Sequence, residues 1–313
     1  MKIGVCLPQI GTAATTSGIR SFAVRAEAAG VDALWVEEHL FRPLMPITGF
    51  GGVPGRPWPA EHALALSPLE ILSFVAALTT RCRLGTSVLV AGYHHPLVLA
   101  KQAATIDVLS DGRMNLGLGV GWCEDEYRLL GQSFADRGTI TDETLQAISA
   151  CWQENPVEFH GRHVTIPASE TSPKPVDGRI PLYGGFMSAA GRRRVARWCD
   201  SWHPFGIEAE EAATGVAAIN TVAVHDHGRP PLTVALRVLL APGDAPTASG
   251  PMGRSSGVWA GSFERIAERL REARAWGIDE VVMDANFASG SGDEAFWSAL
   301  AEELPMLASA AHG

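Results

Sequence analysis

The chain has 313 residues, 46% of them hydrophobic and 19% charged, with a formal net charge of −9. That acidity argues against a nucleic-acid-binding surface, and no apolar run reaches the roughly 18 residues of a membrane span. Cys6, Cys82, Cys123, Cys151 and Cys199 are scattered and odd in number, which speaks against a disulfide framework and a cysteine-held metal.

Ile3, Val5 and Leu7 alternate in a first strand over residues 2–7, stopped by Pro8-Gln9. The chain thus enters a strand at once, so the expectation is no signal peptide and a cytoplasmic protein with reduced thiols. Cys6 and Cys82 read as core filler and Cys123 as an exposed thiol. Ile19, Phe22, Ala23 and Ala26 recur at helical spacing over residues 19–29, and Gly30 closes that helix. Residues 31–36 form strand two, with Glu37-Glu38-His39 just past its end. Residues 41–66 are rich in Pro and Gly without periodicity, and a loop this long is read as a lid or pocket wall. Ser67-Pro68 opens a helix with Ser at the N-cap and Pro at the first helical position, running to about residue 80.

Strand three covers 83–90 and a helix 97–109. Ser110-Asp111-Gly112 is a tight turn, because Asp bonds its own backbone and Gly takes positive φ. Strand four, 114–120, carries Gly117, Gly119 and Gly121 and leads into a helix near Trp122 with Glu124, Asp125 and Glu126 in its first turn, where acids suit the macrodipole. These glycines are compatible with a dinucleotide fingerprint, with close strand packing, or with a site for one phosphate at a helix start. The position, more than a hundred residues into the chain, and the lack of a third glycine to seat a helix favour the single phosphate. A helix over 141–152 precedes an extended excursion at 156–175 that turns at 159–163. Strand five, 181–185, runs into Phe186-Met187-Ser188 and a helix over 189–197. Strand six spans 199–203, a helix 208–225 and strand seven 232–240. A second Gly/Pro/Ser-rich loop fills 241–261, followed by a helix over 263–275, strand eight at 278–284 and a last helix at 294–307.

Eight strands, nearly all followed by helices, imply a parallel sheet with right-handed crossovers and an α/β fold: a closed (β/α)8 TIM barrel, with an open doubly wound sheet as the alternative. The whole of 1–313 is read as one barrel domain with insertions at about 41–66, 156–175 and 241–262. In such a barrel the site lies at the C-terminal strand ends, which gathers Gln9, Glu38, His39, Ser87, Val120, Gly121, Trp122, Gly184, Gly185, Phe186 and His203 at one pocket.

Many short stretches in order carry a resemblance. They include Trp35 to His39, Leu84 to Leu89, His95-Pro96 with Lys101-Gln102, Thr105 to Arg113, Leu116 to Glu126, Phe159-His160-Gly161, Gly184-Gly185, and Asp200 to Pro204. On these the chain resembles the luciferase-like monooxygenase family, within it the deazaflavin-dependent (coenzyme F420) oxidoreductases. The resemblance is strong to about residue 205 and weaker beyond. It implies a bacterial-luciferase-like barrel whose cofactor phosphate is held at Val120, Gly121 and Trp122 and at Gly184, Gly185, Phe186 and Met187. It also implies a non-proline cis bond at Ser87–Val88 beneath the ring. Glu38 stands where several deazaflavin enzymes have Asp, and Trp122 where the sugar-phosphate dehydrogenases have Glu, which argues against that substrate class.

The chemistry expected is hydride transfer with a small organic substrate bearing an activated C=C, imine or carbonyl. His39 is the acid or base, since imidazole titrates near neutrality, with Glu38 orienting it or taking part. Its bland alternative is a structural hydrogen bond to the neighbouring loop. No two of His94, His95, His160, His163 and His203 have metal-ligand i, i+4 spacing, so no metal is expected. Trp35 and Trp202 read as core, and Arg192-Arg193-Arg194 as a solvated helix face. The alternatives are an FMN-dependent monooxygenase fed reduced flavin by a partner reductase, and a non-catalytic ligand-binding barrel. The resemblance also implies a homodimer.

Overall fold

The computed structural model describes residues 1–243 and 256–313. Among them eight parallel strands form one ring: β1 (Lys2–Cys6), β2 (Ala33–Val36), β3 (Arg83–Thr86), β4 (Met114–Gly119), β5 (Leu182–Gly184), β6 (Ser201–Trp202), β7 (Thr233–Pro242) and β8 (Glu280–Asp284). Each pairs with the next, and β8 closes on β1 through Lys2 opposite Glu280 and Val5 opposite Met283. The expected closed (β/α)8 barrel is therefore the fold, and the eight strands of the ring have no edge among them.

Helices α1 (Thr16–Ala28), α2 (Pro68–Ala76), α3 (Pro96–Leu109), α4 (Glu124–Leu129), α5 (Arg137–Gln153), α6 (Ala189–Trp198), α7 (Ala209–His227), α8 (Phe263–Ala275) and α9 (Glu294–His312) lie between and after the strands. Local chemistry sets their ends. Thr15 Oγ1 accepts from Gly18 N at 3.0 Å to start α1, whose buried face is Ile19, Phe22, Ala23 and Ala26. Asp111 and Gly112 take φ of 55° and 78° in the turn before β4. Because helices cover the sheet, β2 is buried at all four positions and reads as a continuous apolar run.

The barrel interior is filled by Trp35, packed with Cys6, Ala33, Tyr183, Ala235 and Val282. Its indole Nε1 donates to Glu280 Oε1 at 3.0 Å, and its ring stacks on His203. A Cβ on Gly85 would overlap that ring, so the small residue on β3 is what admits the large one on β2.

Several expected boundaries move, four of them at the site or in the insertions. Strand three is interrupted: β3 ends at Thr86, the Ser87–Val88 bond is cis, and Leu89–Val90 then pairs with β4. The helix after β4 starts at Glu124, so Trp122 stays in the loop, and Gly121 there has φ of 71°. The excursion at 156–175 forms an antiparallel pair, Val157–His160 with Thr165–Ser169. The loop expected over 241–261 contains a short strand, Val258–Gly261, parallel to the end of β7, while residues 244–255 lie outside the described residues. The insertion at 41–66 holds two 3-10 turns, Phe50–Gly52 and Ala60–Ala63, and packs on the barrel mouth with Phe50 and Trp58 buried. Asp125 pins it by accepting from Ile47 N and Thr48 N, both at 2.9 Å.

Cys123 is buried, not exposed, as are the other four cysteines. Among the described residues no helix is long and apolar enough to cross a membrane, and no group of three or more His, Cys, Asp or Glu could hold a metal ion.

Candidate active site

The C-terminal strand ends enclose a cavity of about 450 Å³. Of the residues singled out from the sequence, Glu38, His39, Ser87, Val88, Val120, Gly121, Trp122, Gly185, Phe186 and Met187 line it together. Gly184 does not; a Cβ there would stand 2.8 Å from Cys199 Sγ and Val195 Cγ2, so this glycine serves the packing of β5 on α6. The glycines of β4 divide the same way. A Cβ on Gly117 would strike the Thr86 carbonyl, which is close packing, whereas Gly119, against Val88, and the turn residue Gly121 both line the cavity.

One end of the cavity suits an anion. The chain passes from β5 through Gly185, Phe186 and Met187 to Ser188, whose Oγ accepts from Gly191 N at 3.1 Å and caps α6. A ten-residue helix beginning there directs free N–H groups and positive dipole at the cavity. Arg137 and Arg194 line the same end. Arg194 is largely buried, bound in fork fashion to Asp142 at 2.6 and 3.0 Å, and lies over the Phe186 ring. The expectation of a solvated face thus holds for exposed Arg193 and fails for Arg194, because the helix turns the latter inward. Replacing Ser188 by Ala removes the cap, so thermal or urea unfolding should show a loss of about 1 kcal/mol.

The other end carries His39 and the groups around it. His39 Nδ1 lies 3.3 Å from Glu126 Oε1. Glu126 also accepts from Leu40 N and Tyr93 Oη, each at 2.7 Å, and burial followed by that carboxylate holds the Tyr93 phenol far above its ordinary value. An acid read from the sequence as a helix-dipole partner is therefore the anchor of His39. Glu38 has both oxygens occupied, one by Val90 N at 2.7 Å and one by His94 Nε2 at 2.9 Å, so it holds the chain after the cis bond and does not reach His39. The His39 ring is edged by Trp58, Trp122 and His62. His62 is buried with neither ring nitrogen bonded among the described residues; burial and then His39 push its pKa down to about 3. Phe50 and Phe287 separate this cavity from a cleft of about 960 Å³ between the insertion and the β8–α9 connection.

At the floor, His203 Nδ1 lies 2.7 Å from the Ala235 carbonyl and must donate to it. Burial pushes the pKa of His203 down to about 3, so Nε2 carries no proton and accepts from Ser87 Oγ at 2.7 Å. Arg237 of β7 reaches the Ser87 carbonyl, Glu37 Oε2 at 2.8 Å and Asp284 Oδ2 at 2.5 Å. Sequence reasoning passed over Glu37, Arg237 and Asp284. The signal was present: an arginine inside the apolar run from Val234 to Leu240 must be paired to be buried.

A family model for luciferase-like monooxygenases matches residues 1–250. An uncharacterized protein of Mycobacterium tuberculosis is 34% identical over 186 residues, 56% of this chain and 64% of that one. The F420-dependent glucose-6-phosphate dehydrogenase of Amycolatopsis mediterranei is 30% identical over 181 residues, 56% of this chain and 48% of that one. The chain thus spans less than two thirds of the length of these relatives. Two solved structures share the fold: an F420-dependent secondary alcohol dehydrogenase with an F420–acetone adduct (16% identity, TM-score 0.76, covering 99% and 98% of the two chains), and monooxygenase RslO1 from Streptomyces bottropensis (18%, 0.75, 99% and 98%). With the barrel, the cis bond and the cavity at its C-terminal face, these findings place the chain in the luciferase-like monooxygenase family of oxidoreductases.

Proposed function

We propose that this chain is a coenzyme F420-dependent oxidoreductase that moves hydride to or from a small organic substrate with an activated C=C, imine or carbonyl group. The observation that carries the reading is a cavity with an apolar wall at Val88 and Val120 and an anion site at its far end, built from the α6 N-terminus, Arg137 and Arg194. That is the shape and charge of a flat ring with a phosphate-bearing tail. The orphaned Glu37 Oε1 beside the ring space is a further fit, because a ligand with polar ring atoms gives it a partner. The F420-dependent relatives support the same cofactor.

Bound deazaflavin supplies a two-electron hydride carrier. The chain's own residues hold the tail at α6 and position His39, through Glu126, to give or take a proton. Substrate enters by the aromatic cleft bounded by Phe50 and Phe287, whose lining also carries Arg56, Glu61 and the buried, neutral His62. The protein works in the cytoplasm as a homodimer, beside a reductase that renews the cofactor. The family match also supports a second reading, FMN-dependent monooxygenation with reduced flavin from a partner reductase.

Side-by-side fluorescence titrations with oxidised F420 and with FMN distinguish the two. F420 should bind at least about tenfold more tightly, and Arg194→Gln should weaken it about tenfold, the worth of one charge-assisted hydrogen bond. A preference for FMN overturns the first reading and makes oxygen uptake with reduced flavin the next assay. Binding of neither overturns both.

A further inference from the structure

Beneath the cavity two acids share one cation. The same Arg237 nitrogen, Nη2, serves both Glu37 and Asp284, and this buried group carries a net negative charge unless it also holds a proton. The two acids are not equivalent. Asp284 has both oxygens bonded: Oδ2 to Arg237, and Oδ1 to the N–H and side-chain amide of Asn286, each at 3.0 Å. Three donors thus surround Asp284 and leave neither of its oxygens without a partner. Glu37 has Oε2 on Arg237, but its Oε1 is buried with no partner among the described residues. Gln9 fixes the Glu37 backbone from both sides, its amide nitrogen on the carbonyl and its oxygen on the N–H, each at 2.6 Å. Glu37 is a lining residue of the cavity and Asp284 is not.

The remaining titratable groups facing this acid are Cys6 on β1, His39 beyond β2 and His203 beyond β6. Burial holds the Cys6 thiol protonated, and Nε2 of His203 is taken by Ser87. None of them bonds Oε1. We propose that Glu37 carries a proton on Oε1 at neutral pH and uses it as a hydrogen-bond donor to a carbonyl oxygen or imine-like nitrogen on the ring of the bound cofactor. A bare carboxylate oxygen is expensive in this position, whereas a carboxyl group with a ligand acceptor is satisfied. Burial raises the Glu37 pKa, outweighing the pull of Arg237, in agreement. The ligand class follows: a conjugated ring that is neutral where it meets Glu37, not an anion. This rests on the cavity being the cofactor site.

The test begins on the protein without cofactor. Infrared difference spectra of wild type against Glu37→Gln at neutral pH should show a protonated carboxyl C=O band, sensitive to deuteration, that the substitution removes. Glu280, the other buried acid with a raised pKa among the described residues, is assigned separately by Glu280→Gln. If Glu37→Gln does not fold, the Glu280→Gln protein alone decides: a surviving buried carboxyl band supports the assignment and its absence overturns it. Glu37→Gln retains a donor and should keep F420 affinity within about threefold, whereas Glu37→Met should lose about tenfold, one net hydrogen bond. Because the protonated form is the donor, affinity should be flat at low pH and fall as pH rises through the Glu37 pKa. Equal affinity in the Met variant, or affinity that rises with pH, overturns the proposal. If neither F420 nor FMN binds wild type, the cofactor reading fails while the carboxyl band still reports on Glu37.

Discussion

Replacing Arg237 by Met should cost about 3–5 kcal/mol of folding stability, because it leaves the buried Asp284 carboxylate without its cation and the Glu37 carboxyl group without its partner. Met fills much of the same volume, so the loss is electrostatic rather than a cavity. Arg237 is held by Glu37 and Asp284, covers the Ser87 carbonyl and lies against the Phe205 ring. Its removal takes the only hydrogen bond of Glu37 Oε2 recorded among the described residues and the Oδ2 partner of Asp284. Against a total stability of about 5–15 kcal/mol this is a large fraction, easily read from urea unfolding followed by tryptophan fluorescence. The sign with pH is fixed. A buried carboxylate that has lost its cation favours its neutral form, so the native state of the variant binds more protons than the unfolded state and the penalty shrinks as pH falls below neutral. Adding Asp284→Asn should restore part of the loss at neutral pH. An Arg237→Met protein with the wild-type unfolding midpoint at neutral pH would mean that this network contributes nothing.

Glu126→Ala should act on function as well as on stability. Glu126 is almost fully buried and accepts from Leu40 N and Tyr93 Oη while standing beside His39 Nδ1. Losing it leaves these donors unpaired, at about 3 kcal/mol. The start of the insertion at 41–66 would then lose its anchor at Leu40 while keeping those to Asp125 and Gln9, so limited proteolysis should cut near residue 40 sooner. His39 loses the group that orients its ring, and turnover should fall by about 100-fold or more, the usual worth of a positioned acid or base. Cofactor affinity should stay near wild type, since the anion end lies elsewhere. Glu126→Gln, which keeps an acceptor for Leu40 N, should recover most of the stability and less of the turnover. Unchanged turnover in Glu126→Ala would remove His39 from the chemistry.

The sequence by itself determined the elements and their order. Thr15, Ser67-Pro68, Asp111-Gly112 and Gly30 mark ends by hydrogen bonds or dihedral angles within a few residues, so their meaning is local. Eight βα units then required a parallel ring, and the ring required a site at the C-terminal strand ends. Most residues at that cavity were legible for this reason. What only the tertiary structure decided is which neighbour in a short run does the work. In Glu37-Glu38-His39 the backbone alternates, and nothing within the run says which acid meets a charge. Glu37 is claimed by Arg237, 200 positions away, while Glu38 is taken by Val90 and His94. Glu126 looks like a dipole acid until folding brings His39 to it from 87 positions earlier. Gly184 and Gly185 are adjacent and small, yet one packs on α6 and the other lines the cavity. Local propensity sets where strands and helices begin and end; the partner of a buried charge is set by strand register around the closed ring, where the energy of an unpaired charge far exceeds any local preference.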